Sequence, residues 1–156
     1  MPVTIKKMAL WCALGTALIA QGALAQSCTL TASAVSFGNY SPLSADTSTG
    51  LIKTTCVSGS LITFSYTLAL SSGAGSFTSR HFAGSTPYFN YQLYLDSAGT
   101  QVWGDGTGTS MTKSDTLVLL PTVQQQHSYT IYGQVPARQY VPPGSYSDSI
   151  TVTLTY

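Results

Sequence analysis

Glutamate is absent from the 156 residues, and charged residues of all kinds make up only 7% of them. That scarcity excludes several classes of function. A nucleic-acid or anionic-membrane surface needs clustered Lys and Arg. Beyond Lys6 and Lys7 the chain has only Lys53, Arg80, Lys113 and Arg138, no two of them adjacent. Histidine occurs only at 81 and 127, too few to build a metal centre with the cysteines. After residue 25 there is no helical period, no second long apolar run and no internal repeat.

The apolar run that does exist lies at the N-terminus. Lys6 and Lys7 form a basic start, Met8 to Ala20 an apolar stretch, and Ala23-Leu24-Ala25 a small-x-small motif. Together they read as an export signal over residues 1–25, with Gln26 as the first residue after cleavage. The run is short for a membrane span. Cys12 lies inside it and not beside a cleavage box, which argues against a lipoprotein. Residues 26–156 are enough for one domain with one core. They carry four basic and five acidic residues, a net charge of −1. Such a surface, made mainly of Ser, Thr, Gln, Asn and Tyr, offers little charge protection against association.

Two cysteines survive cleavage, Cys28 and Cys56. An even count in an exported chain reads as one disulfide.

Turn residues punctuate the rest. Cys28, Leu30, Ala32 and Ala34 alternate with hydroxyl residues, and Leu51 to Val57 form a second strand carrying Cys56. Ile62, Phe64, Tyr66, Leu68 and Leu70 give the longest clean alternation. Phe89, Tyr91, Leu93 and Leu95 share a face, Gln101 to Trp103 and Thr116 to Leu120 are short strands, and Tyr129, Ile131, Gly133 and Val135 form the penultimate one. Last, Ile150, Val152, Leu154 and Tyr156 alternate with Ser149, Thr151, Thr153 and Thr155 after a Pro-Pro-Gly turn. Short alternating strands between Gly/Pro/Ser turns predict an antiparallel sandwich or barrel. The final strand has an apolar face and an edge that no later strand is expected to pair, which makes it a docking site or an aggregation hazard.

Chemical motifs are weak. No GxSxG elbow accompanies the two histidines, and His127 in a Gln-rich turn reads as a solvated loop residue. Gly104-Asp105-Gly106-Thr107-Gly108 lacks the Lys and helix of a phosphate loop and the several carboxylates of a calcium loop. Asn39-Tyr40-Ser41 fits a glycosylation acceptor but sits in a turn cluster that already explains the asparagine. Ten tyrosines would suit sugar stacking, but most lie in strand patterns, where tyrosine is ordinary. No catalytic residue, cofactor or metal is expected.

In order and spacing, several pieces form a pattern: Cys28; Phe37-Gly38-Asn39-Tyr40 with Pro42; Cys56; Leu70-Ser71-Ser72-Gly73; Arg80; Tyr91-Gln92-Leu93-Tyr94 with Asp96; Trp103-Gly104-Asp105-Gly106; Tyr132-Gly133; and Gly144-Ser145-Tyr146-Ser147-Asp148 with Thr151-Val152-Thr153. With them the chain resembles the spore coat protein U domain, also the subunit domain of Csu-type (archaic) chaperone–usher pili. The resemblance implies an incomplete immunoglobulin-like β-sandwich lacking its closing strand. A periplasmic chaperone would lend a strand, an usher would assemble the fibre, and a neighbouring subunit would supply a replacement from its N-terminal extension, all by β-strand addition. Ile150, Val152, Leu154 and Tyr156 are then expected to line the acceptor groove. Shaft-forming members carry an alternating donor stretch before the first cysteine, whereas only Gln26 and Ser27 precede Cys28 after cleavage. With no second domain expected beyond Tyr156, the reading is a strand acceptor at the tip or in a minor position of a surface fibre, reached through the periplasm. The alternatives are a cell or spore coat protein without a pilus and a secreted carbohydrate- or ligand-binding sandwich.

Overall fold

The computed structural model describes residues 3–5 and 26–156. The basic start, apolar stretch and cleavage motif of the expected export signal lie outside the described residues. Strands account for all regular structure there: β1 (Val3–Ile5), β2 (Ser27–Ala32), β3 (Asp46–Val57), β4 (Ile62–Leu70), β5 (Arg80–His81), β6 (Asn90–Tyr94), β7 (Lys113–Leu119), β8 (Gln125–Val135) and β9 (Val152–Thr155). They form two sheets, ordered β1-β9-β4-β7 and β2-β3-β8-β6-β5. Every pairing is antiparallel except that of β1 with β9. This is the all-β antiparallel sandwich that the alternation predicts, with the immunoglobulin-like form that the resemblance implies.

Period-two patterning builds the core directly. In β4, Phe64, Tyr66, Leu68 and Leu70 are buried while Thr63 and Ser65 face solvent. Ile52, Thr54 and Cys56 of β3 and Tyr129, Ile131 and Val135 of β8 supply the facing layer. Full burial of each such apolar side chain contributes roughly 1.5–3 kcal/mol. Cys28 and Cys56 are cross-strand partners in β2 and β3, and their sulfurs are joined.

Two glycines in the long central strands serve packing and not turning. A Cβ on Gly50 would stand 2.8 Å from Val35, and one on Gly133 2.6 Å from Val35 and 2.8 Å from the Phe37 ring. The chain after β2 therefore crosses the inner face of β3 and β8, through a gap that only absent side chains leave open.

Trp103 has no exposed surface although it belongs to no strand. Single bridges, Tyr94 to Val102 and Trp103 to Met111, replace the strand expected at Gln101 to Trp103. The Trp103 amide donates to the Leu93 carbonyl at 2.9 Å and its indole N–H to that of Leu68 at 3.3 Å. Beside it Arg80 is fully buried, its guanidinium donating to the carbonyls of Ser71 (2.9 Å) and Trp103 (2.8 Å) and to the Gln92 side chain (2.5 Å). Burial pulls its pKa down to about 10, partly countered by Tyr91 and Asp148. At neutral pH it stays charged, serving as a knot that ties the 71–79 loop to β6.

Candidate functional site

The last strand is shorter than its sequence pattern. Regular pairing begins at Val152, because the backbone before it bonds elsewhere: Ser147 O accepts from Ala83 N (3.0 Å) and Thr151 O from Ser71 N (2.9 Å), while Thr151 N donates to Ser71 Oγ (2.9 Å). β9 pairs with β4 on one side, Val152 opposite Leu70 and Leu154 opposite Leu68. On the other side its edge takes β1 in parallel, Val3 to Ile5 beside Val152 to Leu154. Three residues of the N-terminal segment thus lie along an edge that no strand of residues 26–156 fills.

Beside the segment that leads into β9, a space opens over the inner face of the five-stranded sheet. A cavity of about 810 Å³ runs between residues 34–42 on one wall and residues 141–150 on the other. Its lining is rich in aromatic rings: Phe37, Tyr40, Phe82, Phe89, Tyr91 and Tyr146. Phe82 is the hub, with ring centroids 4.9 Å from Phe89 and 4.8 Å from Tyr91, while Tyr146 meets Phe89 edge-on at 5.0 Å. The walls have no ladder between them, so their shape is held by side chains. The Tyr40 hydroxyl donates to the Pro136 carbonyl (2.8 Å) and accepts from Gln139 N (3.0 Å). The Tyr91 hydroxyl donates to Asp148 at 2.6 Å. Burial, reinforced by that acceptor, raises the Tyr91 pKa far above the ordinary phenol value, so the tyrosine is a permanent donor.

Of the residues expected to line the groove, Ile150, Val152 and Leu154 are buried on the core side, and Ile150 also borders the cavity. Tyr156 is half-buried, its ring 5.1 Å from that of Phe64. The sequence reading missed the aromatic lining, which comes from segments distant in the chain; the density of Phe and Tyr between residues 82 and 91 is the signal that pointed to it.

A second polar cluster bridges the sheets, and it corrects one sequence reading. His127 is not in a solvated turn. β3 extends to Val57, and Gln125 to His127 pair with Cys56 to Thr54 as part of β8. The His127 Nδ1–H donates to Asp115 of β7 at 2.8 Å, and the Tyr129 hydroxyl donates to the same oxygen at 2.5 Å. Tyr66 bonds in turn to Tyr129 and, at 3.0 Å, to Thr54. Partial burial opposes the charge on Asp115, but the bonds from Tyr129 and His127 outweigh it and hold the carboxyl below its usual range. The side-chain partners of His127 are a carboxylate and a phenol, with no serine among them. The cluster fastens one sheet to the other and has no nucleophile to activate. Among the described residues no group of three His, Cys or acidic side chains is placed to hold a metal.

Comparison with known proteins converges on one family. The family model described as Spore Coat Protein U domain matches residues 15–153. Protein U of Myxococcus xanthus is 28% identical over 134 residues, covering 78% of this chain and 71% of that protein. Among solved structures, one chain of a chaperone–tip adhesion subunit pre-assembly complex, from the archaic chaperone–usher Csu pili of Acinetobacter baumannii, superposes with a TM-score of 0.56 at 18% identity. The likeness covers 85% of the present chain but only 40% of that one, and at this identity it is a likeness of fold.

Proposed function

The chain belongs to the spore coat protein U domain family, a structural and non-enzymatic one, and on that premise we propose that it is a strand-accepting subunit of an exported chaperone–usher type fibre. The observation that carries the proposal is the outer edge of β9, which no strand of residues 26–156 fills and which follows directly on the Ile150 wall of the aromatic groove. An incoming strand would satisfy the backbone groups of Val152 to Leu154 and lay alternate side chains between the sheets. The parallel seating of Val3 to Ile5 supports the competence of this edge to take a strand. Ile150, Val152, Leu154 and Tyr156 are the residues proposed to meet it, with Phe37, Phe82 and Tyr146 added to the groove. The partners of this reading are a periplasmic chaperone, an usher and one neighbouring subunit, and its destination is the cell surface.

The place in the fibre is the finer part of the proposal. With export-signal cleavage after Ala25, Gln26 and Ser27 alone precede Cys28, and Ser27 is already committed to β2. Two residues reach at most about 7 Å, and a donated strand of ordinary length is more than twice that. A subunit that accepts but cannot donate belongs at an end, the tip or a minor terminal position. The test is to purify the processed chain with its chaperone and add an excess of a shaft subunit's N-terminal peptide. The expected product is a single one-to-one complex starting at Gln26, resolved by mass spectrometry. A detergent-resistant ladder made by this protein alone would refute the end position; failure to bind either chaperone or peptide would refute strand acceptance itself.

A further inference from the structure

A second concavity lies on the outward face of the five-stranded sheet, away from the aromatic groove on its inner face. It encloses about 460 Å³, within the roughly 300–1,000 Å³ typical of small-ligand sites. Its floor is a cross-strand row. Thr49 of β3 is opposite Tyr132 of β8, which is opposite Tyr94 of β6, and Thr47 and Gln134 form the next pair along. The inward residues Gly50, Ile131, Gly133, Val135 and Leu93 alternate with these, so the row faces out. Its wall is the turn of residues 96–99. The Asp96 carboxylate holds that turn, accepting the N–H groups of Thr100 (3.0 Å) and Gln101 (2.8 Å) and the Thr100 hydroxyl (2.8 Å). Gly99, at φ +68°, packs against the Tyr94 ring.

The chemistry of this cleft narrows its ligand. No Lys, Arg or His lines it, so an anion finds no counter-charge. Its one carboxylate is already engaged by its own turn, which disfavours a cation. The side-chain hydroxyls of Thr47, Thr49, Tyr94 and Tyr132 and the amide of Gln134 make no side-chain hydrogen bond within the described residues. A purely apolar ligand would bury these groups unpaired, at a cost of about 1–3 kcal/mol each. What remains is a neutral molecule with both hydroxyls and a C–H face. Such a molecule stacks on tyrosine rings and exchanges hydrogen bonds with threonine and glutamine. We propose that this cleft binds neutral carbohydrate, with Tyr132 and Tyr94 as the stacking platform and Thr47, Thr49 and Gln134 as hydroxyl partners.

The inference does not rest on the strand-acceptor reading, because the cleft faces away from the groove and stays open when a strand fills it. The exported protein, labelled and purified, is applied to an array of neutral and acidic oligosaccharides, and hits are titrated calorimetrically. The expected result is saturable binding to neutral members, weakened about tenfold or more by Tyr132→Ala, as for loss of one stacking platform, with an unchanged thermal transition. Thr49→Lys, which fills the cleft from an exposed position, should abolish binding and serves as the second variant if Tyr132→Ala does not fold. Binding to acidic members alone, no saturable binding to any neutral one, or binding indifferent to Thr49→Lys each overturns the proposal.

Discussion

The Tyr91 hydroxyl and the Asp148 carboxylate meet at 2.6 Å, and three segments converge on that contact. The same carboxylate accepts the N–H of Ala74 (3.1 Å) and of Ser149 (2.8 Å). Gly73, at φ +70°, makes room for it: a Cβ there would stand 2.0 Å from the Asp148 oxygen. Tyr91→Phe should lower unfolding stability by about 1.5–3 kcal/mol, the range for a bond to a charged group, read from the denaturant midpoint. Gly73→Ala should cost more, since it meets both a positive φ and a collision. A Tyr91→Phe variant as stable as the parent would mean the contact holds nothing.

Gly133→Ala tests the crossing of Val35 and Phe37 under the central strands. The added methyl can be accommodated only if those side chains move, and overpacking of this kind costs about 1–3 kcal/mol. A lowered melting temperature is expected, together with altered near-ultraviolet circular dichroism from the displaced ring. Thr130→Ala, a change on the opposite face of the same strand, should be close to neutral.

The bond between Cys28 and Cys56 leaves no free thiol in residues 26–156. Thiol titration of denatured, unreduced protein comprising residues 26–156 should find none. Closing a loop of 28 residues contributes roughly 3–4 kcal/mol on the loop-entropy estimate, so reduction should lower the unfolding free energy by that amount, read from the shifted denaturant midpoint.

Val152→Asp and Thr153→Asp separate the two faces of β9. Val152 has no exposed surface, whereas Thr153 is half-exposed. An unpaired carboxylate in the core is disallowed, so the first change should abolish accumulation of the folded protein and the second should be mild. Equal losses would show that the faces have been misread.

Stability should fall at both ends of the pH scale. The folded state keeps Asp115 ionised to lower pH than the unfolded state does. Below about pH 4 the unfolded chain therefore binds more protons, and the stabilisation drains away as pH drops through the folded value. Asp96, held down chiefly by the Gln101 and Thr100 bonds, and Asp105, by its Thr107 bonds, act in the same window. Tyr129 works in the opposite sense: burial first, then its bonds to Asp115 and Tyr66, raises its pKa. Above about pH 10 the unfolded chain loses a proton that the folded one retains, and stability declines as pH rises. Denaturant midpoints should form a plateau between these limits, with Asp115→Asn flattening the acid limb.

Much of this was legible in the sequence, because a half-buried strand writes its two faces as an alternation. β4 can be read off Ile62 to Leu70 without ambiguity. The misreadings share a cause: each was decided by a partner far along the chain. Gln125 to His127 carry no strand pattern of their own, and it is β3 that draws them into the ladder. Residues 146–151 alternate like a strand, yet their backbone bonds go to residues 71 and 83. The aromatic cavity was not legible, since its lining comes from residues 34–42, 82–91 and 141–150, which meet only after folding, and of the four residues expected along a groove it takes in Ile150.

The register of the central strands dictates an order of events as successive strands become available along the chain. β2 and β3 are sequence neighbours, so the pairing that carries Cys28 and Cys56 can close early. β3 then has to wait: its other partner, β8, runs from Gln125 to Val135, and β4 waits longer still for Val152 to Thr155. Until Val152 to Leu154 arrive, Leu68 and Leu70 have one flank bare, and such late, distant pairings fold slowly and invite wrong partners. A chain wired this way is most vulnerable until Val152 to Thr155 have docked on β4.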